Sequence, residues 1–520
     1  MMKRDYREKI KTLDELANAI GPRPRENKVI MCHGTFDIVH PGHLRHLAYA
    51  REKADLLIAS VTADEHIMKA NFRPYVPQEL RAANLAALEF VDFVIIDPNP
   101  TPIQHMSVLQ PDYFAKGYEY FANGVPPRTR EEMDTLASYG GEMVFTPGDV
   151  VYSSSALIDA QPPNLGVEKL LALMDSEGFG FDDLRETLSH LSGIRVHIVG
   201  DTIVDSYSHC SLLGATAKSP TFSVKHDLTE RYPGGAAVVA KHMKAVGADV
   251  TFSTVLGEDD LGRYVLEDLE QSSIQVSPFL DRTRPTTHKE RFIADGYKLL
   301  QVDRVDNRTI SERAQDFLRN ALRTTQADIV VFSDFRHGIF NRLTINNLKE
   351  AIPSTAIKVA DSQVSNRWGN ILDFTDFDLL TPNEREARFA LGDQDSVVRP
   401  LASELFRQAR CRYLILKLGE RGLIGYRSPG PHPREFFTVD SFVDRLIDPI
   451  GAGDALLSYS ALALVATDHI VMASVLGSLG AAVACELQGN SPVSPSKLQD
   501  KIDALEQHVR YEVGRPVVYA

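Results

Sequence analysis

The sequence is poor in the features that mark several large protein classes. Its four cysteines (Cys32, Cys210, Cys411 and Cys485) lie far apart and form no CxxC pair. Neither a zinc site nor a disulfide framework is suggested, and a reducing cytoplasm is the simplest setting. No apolar run is long enough to span a bilayer. The most hydrophobic stretch, "ALALVATDHIVMASVLGSLGAAVACEL", is broken by Asp468 and His469 and reads as a pair of buried helices. The opening "MMKRDYREKIKTLDELANAI" is charged throughout and lacks the apolar core of a signal peptide. Positive charge is also short: 56 Lys and Arg stand against 70 Asp and Glu, a net charge of −14. That balance argues against a general nucleic-acid or anionic-membrane binder, but leaves room for local basic pockets that take small phosphorylated ligands. There is no low-complexity tract and no internal repeat.

What is present is a long globular chain. At 520 residues, with 43% hydrophobic and 24% charged residues, it exceeds one ordinary core. After an N-terminal extension (1–27), residues 28–160 alternate buried strands such as "KVIMC", "LLIASVT" and "FVIID" with helical patterns such as "HLRHLAYAREK" and "QELRAANLAALEF". That alternation predicts a parallel sheet covered on both faces. Residues 161–192 read as a helical linker, with "VEKLLALMD" and "DDLRETLSHL". A second α/β series, residues 193–510, opens with "RVHIVGD" and continues through "ADVTFSTVLG", "ADIVVFSD", "IKVAD" and "YLILKLG". Within it, "TAKSPTFSVKH" and "TTHKERFIA" alternate as exposed strands do.

Two short stretches carry chemistry. In "GTFDIVHPGH" (34–43) a strand ends in a glycine turn and a helix starts at the Pro41–Gly42 step. A helix start presents unpaired N–H groups and the positive end of the dipole, and so attracts phosphate. His40 and His43 would face the same anion, while His46 reads as a solvated helix residue. A surface HxxH pair and a zinc site are the competing readings, although a zinc protease motif needs HExxH. In "DPIGAGDALLSY" (448–459), Gly451, Ala452 and Gly453 let backbone N–H groups converge on a phosphoryl group. Asp454 follows at the helix start, where it accepts a proton from an attacking hydroxyl or, in the plainer reading, caps the helix.

Residues 28–160 resemble the cytidylyltransferase-like branch of the nucleotidylyltransferase superfamily, through "HPGH", "KANFRP" with Lys69 and Arg73, Arg81 in "PQELRAANLAALEFVD", "KGYEY" and "YSSSALI". The resemblance implies a Rossmann-like domain in which His40, His43 and Lys69 are catalytic. Gly34, Thr35, Phe36, Asp37, Arg81, Lys116, Ser153, Ser154 and Ser155 would bind nucleotide. Residues from about 193 to 500 resemble the ribokinase-like (PfkB) sugar kinases, through "GDTIVD", "PGGAA", "TPNEREA" and "GAGD". This implies Asp454 as general base and Asn383, Glu386, Lys417, Gly419, Gly451, Ala452 and Gly453 around the nucleotide phosphates. Glu386 would act on magnesium indirectly, and Asp201, Asp205, Gly234, Gly235 and Arg304 would meet the sugar. Such folds carry a small β-lid, whose exposed edges favour a homodimer.

The whole chain is most similar to the bifunctional heptose 7-phosphate kinase / heptose 1-phosphate adenylyltransferase family, with the domain order reversed. That family makes a nucleotide sugar from a sugar phosphate and ATP, with Mg²⁺; the charge balance, for its part, leaves no nucleic-acid or membrane partner expected. Three positions depart from its pattern: Val238 replaces an asparagine, and His337 and Gln363 replace lysines, with Arg336 or Arg367 as possible substitutes. These changes gather on the acceptor side and motivate a second reading, a CTP-dependent cytidylyltransferase acting on a polyol phosphate beside a kinase for its precursor. A third reading makes one half a degenerate nucleotide sensor or assembly module.

Overall fold

The computed structural model describes residues 5–67, 74–117, 127–146, 166–215, 221–363, 370–428, 435–489 and 491–514; Lys69, Arg73, Ser153, Ser154, Ser155 and Arg367 lie outside them. The chain divides into two compact units, Met1–Ala172 and Leu173–Ala520.

The first unit is built on five parallel strands: β1 (Val29–Gly34), β2 (Leu56–Thr62), β3 (Phe93–Asp97), β4 (Tyr113–Gly117) and β5 (Glu142–Thr146). Their order is β3-β2-β1-β4-β5. Successive residues point to opposite faces, and each face has its own apolar cover. Ile30 and Cys32 pack with Leu47, Ala82 and Leu85, from the helices Pro41–Arg51 and Gln78–Ala86. Val29 and Met31 pack on the other face with Leu16, Ile20, Met106 and Leu136. The segment before residue 28 is therefore no appendage. Its helix Leu13–Ile20, closed by a Thr12–Glu15 capping box, packs Leu16 and Ile20 on one face, and Ile10 bridges to Val94. The strand order reverses between β1 and β4, and that reversal opens a crevice at their carboxyl ends.

The second unit holds β6 (Arg195–Gly200), β7 (Thr202–Ala215), β8 (Phe222–Gly235), β9 (Asp249–Gly257), β10 (Gln275–Asp281), β11 (Thr287–Ala294), β12 (Tyr297–Arg304), β13 (Ile329–Asp334), β14 (Ile357–Ser362), β15 (Leu379–Leu380), β16 (Tyr413–Lys417), β17 (Leu423–Arg427) and β18 (Phe436–Val439). Nine of them form one sheet, β10-β9-β6-β13-β14-β15-β16-β17-β18, parallel as far as β16 and antiparallel beyond it. The remaining four, β12-β11-β7-β8, make the separate small sheet expected of a lid. The apolar stretch after residue 453 forms the helices Ala452–Thr467 and Ile470–Cys485, joined at Asp468 in the left-handed region (φ 53°). Both are buried over most of their surface, so they are apolar all round because they are interior helices. Among the described residues no helix is long and apolar enough to cross a membrane.

The linker expected at 161–192 is not a body of its own. Its helices are Gly166–Glu177 and Phe181–Ser189, and the two compact units divide within the first of them. The end of that helix belongs to the second unit, where Glu177 and Arg427 form a buried two-pronged ion pair at 2.7 and 2.8 Å.

Candidate active sites

In the first unit, Gly34 ends β1, and Phe36 then takes a left-handed backbone (φ 48°) that turns the chain. Asp37 is buried and accepts the Val76 N–H at 2.8 Å. Arg81 corrects an expectation. It is fully buried, and its guanidinium donates to the carbonyls of Val76 and Thr62 (2.9 Å each) and Thr35, and to Asp64 Oδ1 at 2.5 Å. A buried guanidinium with its donors engaged braces the ends of β1 and β2 and holds Thr35; it does not face a nucleotide.

The two histidines at the helix mouth differ in tautomer. His40 is the N-cap, and its Nδ1 accepts the Gly42 N–H at 3.1 Å, so its neutral ring carries the proton on Nε2. His43 Nδ1 lies 3.1 Å from the Ile38 carbonyl, which can only accept, so Nδ1 carries the proton and Nε2 keeps a lone pair. The rings stack 4.0 Å apart, with the Phe36 edge 5.2 Å from His43. Burial, reinforced by His40 and His46, pushes His43 down to about 4. Burial and then Arg45 also lower His40. His46 is not simply solvated: its Nδ1 is 2.7 Å from Thr146 Oγ1, which ties the helix to the end of β5. Lys116, at the end of β4, is ion-paired with Glu132 and lies 3.1 Å from Thr129 Oγ1.

In the second unit two charged residues at or near the ends of parallel strands, Asp361 and Lys417, lie beside the glycine turn. Gly451 takes φ 82°, and the helix Ala452–Thr467 starts from it with Asp454 in the first turn. Lys417 closes β16, and its Nζ is 2.9 Å from Asp361 Oδ1 near the end of β14; Thr381 Oγ1 donates to the same oxygen at 2.9 Å. A Cβ on Gly453 would lie 3.5 Å from Lys417 Nζ, so the ammonium sits against the turn. Burial would lower the Lys417 pKa, but Asp361, Glu386 and Asp454 outweigh it and raise it above the ordinary value. Burial, then Asp361, pushes Asp454 up to about 7 against the pull of Lys417. Asn383 and Glu386 form a closed capping box, with the Glu386 carboxylate accepting the Asn383 N–H and Nδ2 at 2.7 Å each. Gly419 opens the neighbouring turn in the left-handed region (φ 64°).

At the join of β8 and the following helix, a Cβ at Gly235 (φ 64°) would meet the Asp201 carbonyl at 2.4 Å, so the backbone approach requires glycine there, while one at Gly234 would meet the Asp205 carboxylate at 2.3 Å. Asp205 pairs with Arg291 of β11 at 2.5 Å, and Arg291 lies over the Tyr207 ring at 5.2 Å. Asp201 does not fit its expected role. It is buried, and its carboxylate accepts the N–H groups of Phe335 (3.0 Å), His337 (3.2 Å) and Ile339 (3.4 Å), closing that loop. Arg336 is likewise no stand-in for the replaced lysines, because its guanidinium is buried against Asp334 at 2.8 Å. Arg304 is exposed at the end of β12, opposite His288 in the lid register.

Asp361 and Arg291 are functional candidates that motif reading passed over. The usable signal for Asp361 was its place at the carboxyl end of a parallel strand, where such folds bind ligands. For magnesium, no cage of three acidic or imidazole side chains exists among the described residues. Glu386 beside the phosphate turn suits an ion carried in by a nucleotide, since Mg²⁺ takes one or two carboxylates and completes its shell with phosphate oxygens and water.

Comparison with known proteins agrees with this geometry. The pfkB family carbohydrate kinase model matches residues 195–497, and the cytidylyltransferase-like model matches residues 31–159. Two curated relatives, each named bifunctional protein HldE, come from Rhodopseudomonas palustris strain TIE-1 and Desulfatibacillum aliphaticivorans. They are 28% identical over 336 and 332 residues, covering 62% of this chain and 66% of theirs. The chain thus spans just under two thirds of the relatives it matches. The potassium complex of phosphofructokinase-2 from Escherichia coli superposes with a TM-score of 0.50 at 17% identity, over 60% of this chain and 99% of that one, a likeness of fold.

Two outcomes follow from the protonation states. If Asp454 accepts the acceptor hydroxyl's proton, it must first be ionised, so kcat of sugar phosphorylation rises as pH increases through about 7 and levels off above it. A flat profile between pH 5.5 and 8.5 would contradict this. If His43 donates to a triphosphate it must first gain a proton on Nε2, so nucleotide binding at pH 7 then takes up a proton. Titration calorimetry in buffers of different ionisation enthalpy measures that uptake directly, and His43→Ala abolishes it.

Proposed function

Because the chain belongs to the pfkB family of carbohydrate kinases, we propose that it is a two-step enzyme of nucleotide-sugar synthesis. The second unit phosphorylates a heptose-like sugar or sugar phosphate with ATP. The first unit couples the resulting sugar 1-phosphate to a nucleotide and releases pyrophosphate. The observation that carries this reading is the presence, in one chain, of two anion-directed helix starts with different reactive groups: an aspartate within the glycine turn, and a pair of imidazoles at the strand-end crevice. The relatives named as bifunctional proteins support it.

In the kinase step the acceptor hydroxyl oxygen bonds to the γ-phosphorus, its proton passes to Asp454, and ADP leaves with the electrons of the broken P–O bond. The N–H groups of the Gly451–Gly453 turn stabilise the charge on the phosphoryl oxygens. Asp205 and Arg291 hold acceptor hydroxyls against the lid, while Asp201 positions the loop that carries Phe335, His337 and Ile339. Glu386 would help to hold a magnesium ion brought in with the nucleotide, and that ion would supply charge neutralisation.

In the transferase step a phosphate oxygen of the sugar attacks the α-phosphorus of the nucleoside triphosphate, and pyrophosphate departs. No side chain becomes covalently attached, so the site works by positioning and by donors aimed at oxygens. His40 donates from Nε2 in its neutral form, and His43 does so once protonated. ATP is the donor in this reading, and the setting is the cytoplasm.

Mass spectrometry of products from heptose, heptose 7-phosphate and polyol acceptors, each with ATP or CTP, tests the assignment. Asp454→Ala removes sugar phosphorylation, by at least ~10²-fold for loss of a general base, and leaves pyrophosphate release from supplied sugar 1-phosphate intact. His43→Ala does the reverse. A product set containing only cytidine nucleotides of a polyol would replace this reading with the cytidylyltransferase one. The lid also exposes Leu213, Phe222, Tyr297 and Leu300, at 57–76% of their surface. These side chains support a homodimer formed lid to lid, and a monomeric mass in light scattering at micromolar concentration would refute it.

A further inference from the structure

A lysine at the end of a strand normally extends its ammonium into water. Lys417 does not. Its side chain is 15% exposed, and it is ion-paired with Asp361, which is 5% exposed. Asp361 is itself held, because Thr381 donates to the same carboxylate oxygen that meets the ammonium, 2.9 Å from each. The backbone is held as well: Lys417 N–H donates to the Pro382 carbonyl at 2.8 Å, and Asn383 bridges to Lys417. The free end of the side chain points at the glycine turn, where a Cβ on Gly453 would come 3.5 Å from Nζ. An ammonium has three donors, and one of them serves Asp361.

We infer that Lys417, anchored by Asp361, is a catalytic cation of the kinase site, donating to a non-bridging oxygen of the phosphoryl group while that group is transferred. The inference rests on the kinase reading above and gives Lys417, expected from the sequence only to lie near the nucleotide phosphates, a part in the transfer step itself. A triphosphate entering this turn approaches the carboxylates of Asp361, Glu386 and Asp454, all close enough to act on Lys417. Backbone N–H groups alone would face that array, whereas a fixed ammonium offsets it at the atoms where transfer occurs. Lys417 keeps its proton throughout. The new bond joins the acceptor oxygen to the γ-phosphorus, the hydroxyl proton goes to Asp454, and the broken bond leaves its electron pair on ADP. The glycine at 453 is then explained by access, since a side chain there would stand between the ammonium and the phosphate.

The test uses the full chain with Mg-ATP and heptose 7-phosphate or heptose, whichever the wild type phosphorylates, and measures kcat, acceptor KM and ATP affinity separately. Lys417→Met is expected to lower kcat by ~10²–10³-fold, the size seen when one charge-stabilising donor is removed. ATP affinity and acceptor KM should move by no more than about threefold, and the thermal unfolding midpoint should stay within a few degrees. Lys417→Arg keeps a positive charge and should recover at least about tenfold of the loss; a purely structural lysine would show no such rescue. Unchanged kcat, or lost ATP affinity with kcat retained, would overturn the inference. So would a kcat loss matched by a comparable loss of folded protein. A wild-type chain that transfers the γ-phosphoryl group to no sugar or sugar phosphate acceptor fails the kinase reading itself, a result seen before any variant is made.

Discussion

A helix that begins at the carboxyl end of a parallel strand leaves its first N–H groups without partners inside the helix, and both halves of this chain are organised around that lack. In the first unit β1 runs into the helix Pro41–Arg51 through a turn that requires the left-handed Phe36. In the second, the turn at Gly451 feeds the helix Ala452–Thr467. The second helix start has other strand ends beside it: Lys417 of β16 against the glycine turn, and Asp361 of β14 paired with it. The sheets matter to function because they carry several strands to a common end, and their apolar faces keep those ends in register.

Burial then tunes the reactive groups in opposite directions. It lifts the Asp454 carboxyl toward neutrality and with it the ability to take a proton, while it lowers the His43 imidazole until a phosphate is present to hold the charge. Both shifts come first from the loss of water. The nearest charges then act differently: Asp361 raises Asp454 further and Lys417 opposes it, whereas His40 and His46 depress His43 further. The buried ion pairs away from the sites have another task. Arg81 fixes strand ends, and Glu177 with Arg427 ties the end of a helix into the second unit.

Sequence reading reached the local features and missed the distant ones. "HPGH" and "GAGD" are legible because a glycine turn, a helix start and a reactive side chain occupy a few consecutive residues, and backbone geometry alone relates them. The α/β alternation is legible for the same reason, since an apolar run of branched residues has few other uses. Asp361 and Lys417 are separated by 56 positions and meet only because β14, β15 and β16 lie side by side. Asp201 and Arg81 carry the residue types of ligand contacts, and only the fold shows their groups directed at backbone amides and carbonyls. The segment before residue 28 read only as a charged extension, yet its Leu16 and Ile20 pack into the apolar cover of a sheet face.

The central claim is that the second unit makes the phosphate that the first unit uses. It is tested most directly by incubating the full chain with Mg-ATP labelled in the γ-phosphate and an unlabelled acceptor, then isolating the nucleotide sugar. The account predicts the label in the phosphate attached to the sugar, with the α-phosphate beside it unlabelled. A labelled sugar phosphate that never appears in a nucleotide sugar, from a preparation active in both half-reactions, would contradict it.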